Sequence, residues 1–173
     1  MSRVAQSGVS LVTVLLLICP ARTATQDEKI LPFETIVRYG NDGPRENIQG
    51  VVFKNRDWRK LWNRVHSEVF IKPPRPFVDF STRMVIVVSF EYLPDPSWNM
   101  EISEVAMTED GLRISIEKTQ RGGRFCPPVP DILVHPLHIV ETERVEKRFM
   151  KSAEFQIVQQ VVDCEPKSDR GNT

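Results

Sequence analysis

The sequence predicts an α+β protein that is mainly antiparallel β, built as a single sheet or a sandwich with one amphipathic helix packed on it. Three observations predict this class. Short β-branched and aromatic runs recur between turn residues along most of the chain. One segment alone, around Trp58 to Val65, switches to helical spacing. The 173 residues leave roughly 130 for a core once the ends are set aside, which suits one domain.

The N-terminus is predicted to be an export signal over residues 1–24. Arg3 gives a positive start, a charge-free run of about ten residues ends at Ile18, and Cys19, Pro20, Ala21 and Ala24 follow as helix-breaking and small residues. That run is about half the length a bilayer span needs. An uncleaved anchor and a lipidated Cys19 are the alternatives, and Ile18 before the cysteine is larger than lipoprotein signals use. The mature protein is therefore expected outside the cytoplasm, with no membrane span. The domain is expected over residues 25–165, with a mobile polar start near residues 24–29 and a disordered tail over 166–173.

Along the mature chain, Phe33–Tyr39 reads as the first strand. Gly40, Asn41, Asp42 and Gly43 before Pro44 make a turn, and residues 48–53 make the second strand. Asn55 is expected to cap a helix, with Asp57 favourably placed in its first turn. Trp58, Leu61, Trp62 and Val65 then fall on one helical face, predicting a lid packed over a sheet. Pro73, Pro74 and Pro76 end the helical tendency. Residues 77–80 alternate apolar and polar, with Asp79 between large apolar neighbours and Phe80 next to it.

Residues 84–90 are almost continuously apolar and β-branched, the pattern of a central strand buried on both faces. Trp98, Met100 and Ile102 alternate, as do Leu112, Ile114 and Ile116, and Glu109, Asp110 and Gly111 supply a hairpin turn between them. Residues 120–124 are expected to form a flexible loop. Pro127, Pro128, Pro130 and Pro136 make the next stretch extended or irregular, and late strands are expected over 137–142 and 155–162.

Equal numbers of basic and acidic residues leave no surplus charge for nucleic acid. No phosphate loop, nucleophile elbow or zinc-protease helix motif occurs, so no enzyme, metal or cofactor is predicted. His135 and His138 have a chelating spacing only on a helix, which Pro136 opposes. His66 is expected as a last-turn charge or rim residue of the helix. Asp79 is expected to bond the next turn through Ser81 and Thr82, and the other reading is a perturbed acid. A hydrolase using Asp79 and His138 is the enzymatic alternative. Cys126 and Cys164, the two cysteines left after export, are expected to form a disulfide.

The order of Val51-Val-Phe53, Trp58-Arg-Lys-Leu-Trp62, Pro76-Phe-Val-Asp-Phe-Ser81, Met84-Val-Ile-Val87, Ile102, the Leu112–Ile116 strand and Pro136-Leu-His-Ile-Val140 resembles the C-terminal domain of the protease-complex subunit PrcB family, over about residues 48 to 142. The resemblance implies an exported or lipid-anchored bacterial protein that accompanies a subtilisin-like surface protease. It also extends to cysteines near Cys126 and Cys164. Where the family shows a Gly-rich loop ending Gly-Gly-Tyr, this chain has Phe90-Glu-Tyr-Leu-Pro-Asp-Pro-Ser-Trp98. That loop is the expected working surface, with Tyr92 and Trp98 as aromatic anchors and Pro94 and Pro96 as stiffeners. Folding of Tyr92 and Trp98 back onto the core edge is the alternative. The expected role is an accessory or binding module with a protein partner, an exported protease among the candidates, and the alternative is a protease inhibitor presenting the Pro-stiffened loop.

Overall fold

The computed structural model describes residues 28–146 and 149–164. The predicted export signal and the 166–173 tail lie outside the described residues. Eight strands form two four-stranded sheets: β1 Lys29–Ile30, β2 Phe33–Tyr39, β3 Ile48–Val52, β4 Arg83–Ser89, β5 Trp98–Met107, β6 Leu112–Gly122, β7 Leu137–Glu143 and β8 Ala153–Asp163. The inner sheet has the order β2-β7-β4-β3 and is antiparallel throughout. The outer sheet has the order β1-β5-β6-β8, and its last pair, β6 with β8, is parallel. The single α-helix among the described residues, α1, spans Asn55–Val65. The predicted α+β, β-rich class is therefore the observed one, in its sandwich form.

The molecule has three layers because β4 is apolar on both faces. Met84, Ile86 and Val88 point into the core between the sheets, where they meet Met100, Ile102, Ile114 and Ile116. Val85 and Val87 point the other way and pack with Ile139 of β7 under Trp58, Trp62 and Val65 of α1. The predicted lid is thus observed, with Trp58 and Trp62 in edge contact, their ring centres 5.2 Å apart. Leu61 and Phe80 lie at the margin of the same cluster, half-buried. The 108–111 turn closes the β5–β6 hairpin as predicted. Gly111 has φ of +155° there, and a Cβ on it would meet the Ser152 carbonyl oxygen at 2.3 Å, so the position requires glycine.

Several local expectations are corrected. Asn55 is the first helical residue rather than the cap. Lys54 caps in extended conformation with no side-chain bond, and the Asn55 amide oxygen instead accepts from the Arg75 guanidinium at 2.6 Å. Lys29, expected to end a mobile start, instead pairs with Met107, and Ile30 pairs with Ala106. Residues 120–122, expected as loop, continue β6 because β8 runs alongside them. Residues 77–80 have the predicted alternation, Phe77 outward and Val78 inward under the helix, yet they pair with no strand. Alternation reports which face is buried, and it does not require a hydrogen-bonded neighbour.

Candidate functional site

The loop between β4 and β5, residues 90–97, is pinned at both ends. The Glu91 amide donates to the Asn47 side chain at 3.0 Å, and the Glu91 carbonyl accepts from the His135 ring. Leu93 is buried and exchanges both backbone bonds with Val134, at 2.8 and 3.0 Å. Asp95 closes the far side, accepting the Ser97 amide at 2.7 Å, while the Ser97 carbonyl takes the Arg121 amide of β6 at 3.0 Å. What remains outward is Tyr92, 55% exposed, with Glu91 before it and Pro94 beyond the buried Leu93. The projecting aromatic is therefore Tyr92 alone.

Trp98 takes the other course weighed for it. It is the first residue of β5, follows the inward alternation and packs against the inter-sheet core. The Lys118 ammonium lies 4.8 Å from its ring centre and 5.6 Å from that of Phe90, a cation–π stack closing this end of the core. The indole N–H of Trp98 is buried and has no acceptor among the described residues. Pro96 sits between two shallow cavities. One, of about 470 Å³, is shared with Asn41, Trp98 and Arg121. The other, of about 260 Å³, is lined by Arg121, Pro127, Val129 and the Cys126–Cys164 pair. The two sulfurs are bonded, with Cα atoms 5.0 Å apart and a sequence separation of 38. The bridge ties the Pro-rich segment to the end of β8, as expected.

The same segment supplies residues that sequence reasoning did not single out. Phe125, Val129, Ile132 and Leu133 are exposed apolar side chains on the stretch that the Leu93–Val134 bridge joins to the loop. A second exposed set, Phe70, Ile71 and Phe77, follows α1, with Phe70 fully exposed. Its backbone is held from below: the Trp58 and Trp62 indoles donate to the carbonyls of Pro76 and Pro73 at 3.1 and 3.0 Å. The available signal was apolar residues among prolines with neither helical nor strand period.

The remaining candidates are structurally engaged. Asp79 accepts the Ser81 amide at 3.0 Å, the Ser81 hydroxyl at 2.6 Å and the Thr82 hydroxyl at 3.2 Å, and those bonds, Ser81 first, hold its pKa below the ordinary carboxylate value. This is the predicted turn bond. His138 lies in the inter-sheet core. Its Nδ1 accepts the Ile102 amide at 2.8 Å, which sets the tautomer, so Nε2 donates to the Thr35 hydroxyl at 2.9 Å. Burial, and then the Arg38 guanidinium, push its pKa down to about 4. It is a neutral strut between sheets. His66 is buried rather than on a rim: Nδ1 meets the Trp62 carbonyl at 2.9 Å and Nε2 the Tyr39 hydroxyl at 3.3 Å. Among the described residues no three His, Cys, Asp or Glu side chains converge as a metal site, and no helix is long and apolar enough to cross a membrane.

Fold and site together define a β-sandwich carrying a helix on one sheet, with a braced aromatic loop beside a disulfide-closed cavity. No family model, no curated protein and no solved structure matches the chain.

Proposed function

We propose that this protein is an exported, non-catalytic binding module that docks a protein partner at the end formed by the 90–97 loop and the disulfide-closed 125–134 segment. The observation that carries the reading is the bracing of the loop. Both ends and its midpoint are hydrogen-bonded to neighbouring elements while Tyr92 stays outside. A pre-ordered loop loses little entropy on docking, and tyrosine is among the residues that anchor interfaces best. Apolar Val129 and Leu133 and the Arg121 guanidinium extend the surface with groups a protein partner can cover. Following the resemblance to the PrcB family, the partner is an extracytoplasmic protease that this chain accompanies or stabilises.

The second reading is inhibition of a protease by the same loop. It is favoured by the Leu93–Val134 bridge, which holds the Pro94–Pro96 stretch in one shape as an inhibitory loop must be held. Immobilised mature protein exposed to an envelope extract tests the first reading. Tyr92→Ala is expected to lose the captured protein, and Phe77→Ala on the separate apolar arm to retain it. Capture that survives Tyr92→Ala and disappears with Phe77→Ala moves the site to the arm. Inhibition of a panel of purified proteases by the wild type, lost in Pro94→Gly, favours the second reading.

A further inference from the structure

The two sheets have four edge strands, and three of them carry features that discourage pairing with another chain. β1 is two residues long, β3 is five residues with Gly50 at its centre, and β2 has Glu34 and Arg38 with an irregularity between Thr35 and Val37. β8 has none of these. It runs eleven residues in unbroken register against β6, from Leu112↔Ala153 to Gly122↔Asp163. It contains no Lys, Arg, Pro or Gly, and its two acids stand near its ends. Among the described residues nothing lies along its outer edge, and Ile157, Val158, Val161 and Val162 are exposed, covering both faces of the strand. The disulfide at Cys164 holds the end of the strand in place, so the edge is ordered before any partner arrives.

We propose that β8 pairs antiparallel with β8 of a second copy, joining two outer sheets into one continuous eight-stranded sheet. Self-complementarity identifies the occupant. A two-fold axis normal to the sheet keeps each side chain on its own face, so the pleat restricts the pairing to registers in which one residue faces its own copy. The register that pairs the whole strand is centred on Val158. It sets Val158 against Val158, Gln156 against Gln160 and Phe155 against Val161. Slipping by one residue would bring Glu154 opposite Asp163, which the pleat forbids. Slipping by two in either direction sets Phe155 against Gln159 or Asp163. The full-length register thus gives the most paired backbone, with Phe155–Val161 and Val158–Val158 as its apolar pairs, while Ile157, Val162 and Ala153 face Gln159, Glu154 and Asp163.

Sedimentation of the disulfide-intact mature protein over a dilution series is expected to show a monomer–dimer equilibrium. Val158→Lys places two ammonium groups face to face at the axis and should leave only monomer, with the thermal midpoint that the wild type shows at dilutions where it is monomeric, because Val158 is exposed in the monomer. Val158→Cys should cross-link to its own copy under mild oxidation, and Gln160→Cys, which faces Gln156, should not. A wild type that stays monomeric at its highest soluble concentration overturns the proposal. So does a dimer that survives Val158→Lys, or cross-linking by Gln160→Cys in preference to Val158→Cys.

Discussion

Replacing Trp62 by alanine tests the three-layer reading most directly. The side chain is almost fully buried between α1 and the inner sheet, with its ring 5.2 Å from Trp58 and 4.3 Å from His66. Truncating a buried aromatic costs about 3–5 kcal/mol through lost transfer energy and the cavity left behind. A domain of this size has about 5–15 kcal/mol in total, so Trp62→Ala should fold with a much reduced margin. At roughly 3–5 °C per kcal/mol, the thermal midpoint should fall by at least about 10 °C. Trp62→Phe separates the two contributions. It keeps most of the packing and removes the bond to the Pro73 carbonyl, worth about 0.5–1.5 kcal/mol. Its specific effect should appear on the 69–77 arm, as faster chymotryptic cleavage after Phe77 in the folded protein. Calorimetry with the disulfide intact measures the first effect and limited proteolysis the second. A Trp62→Ala midpoint within about 3 °C of wild type, a cost near 1 kcal/mol or less, would refute burial of the helix face. Unchanged cleavage in Trp62→Phe would refute the indole's hold on the arm.

Three other outcomes are expected, two from the same geometry and the third from the N-terminal sequence. His138 has a folded pKa of about 4 against an ordinary value of 6.5, so the folded state favours the neutral ring. Its contribution to stability is complete above pH 6.5 and is lost as pH falls through 4, and His138→Gln should flatten that part of the pH–stability curve, measured by urea unfolding. Cys126 and Cys164 should resist alkylation in the native protein, and Cys126→Ser/Cys164→Ser should cost on the order of 4 kcal/mol or less for the 38-residue loop, read from the denaturation midpoint. Exported material should begin between residues 22 and 25 by N-terminal sequencing, and a chain that still starts at Met1 would contradict the export signal.

The local content of the chain was legible where one period held over a full element. The spacing of Trp58, Leu61, Trp62 and Val65 located α1 and its buried face. The β-branched run around Ile86 located the strand buried on both sides, and Gly111 located the hairpin. Reasoning from type and neighbours failed where a distant group intervened. Asn55 has the chemistry of a cap, yet Arg75 claims its side chain. His66 has the position of a rim residue, yet Tyr39 and the last turn of α1 enclose it.

By itself, then, the sequence determined the kinds of elements, their order and the turn between β5 and β6, because sterics and side-chain period act over a few residues. It also determined the bridge once Cys19 was assigned to the expected export signal, since Cys126 and Cys164 were then the pair left. Only the tertiary structure decided which strands are neighbours. The parallel contact of β6 with β8 joins segments about forty residues apart, and the backbone of either strand accepts several neighbours equally well. Burial and register of the whole set choose among them. That choice leaves β8, whose Ile-Val and Val-Val pairs have the composition of an interior strand, at an open edge. It also sets His138 between two sheets, with Ile102 of one and Thr35 of the other as its partners.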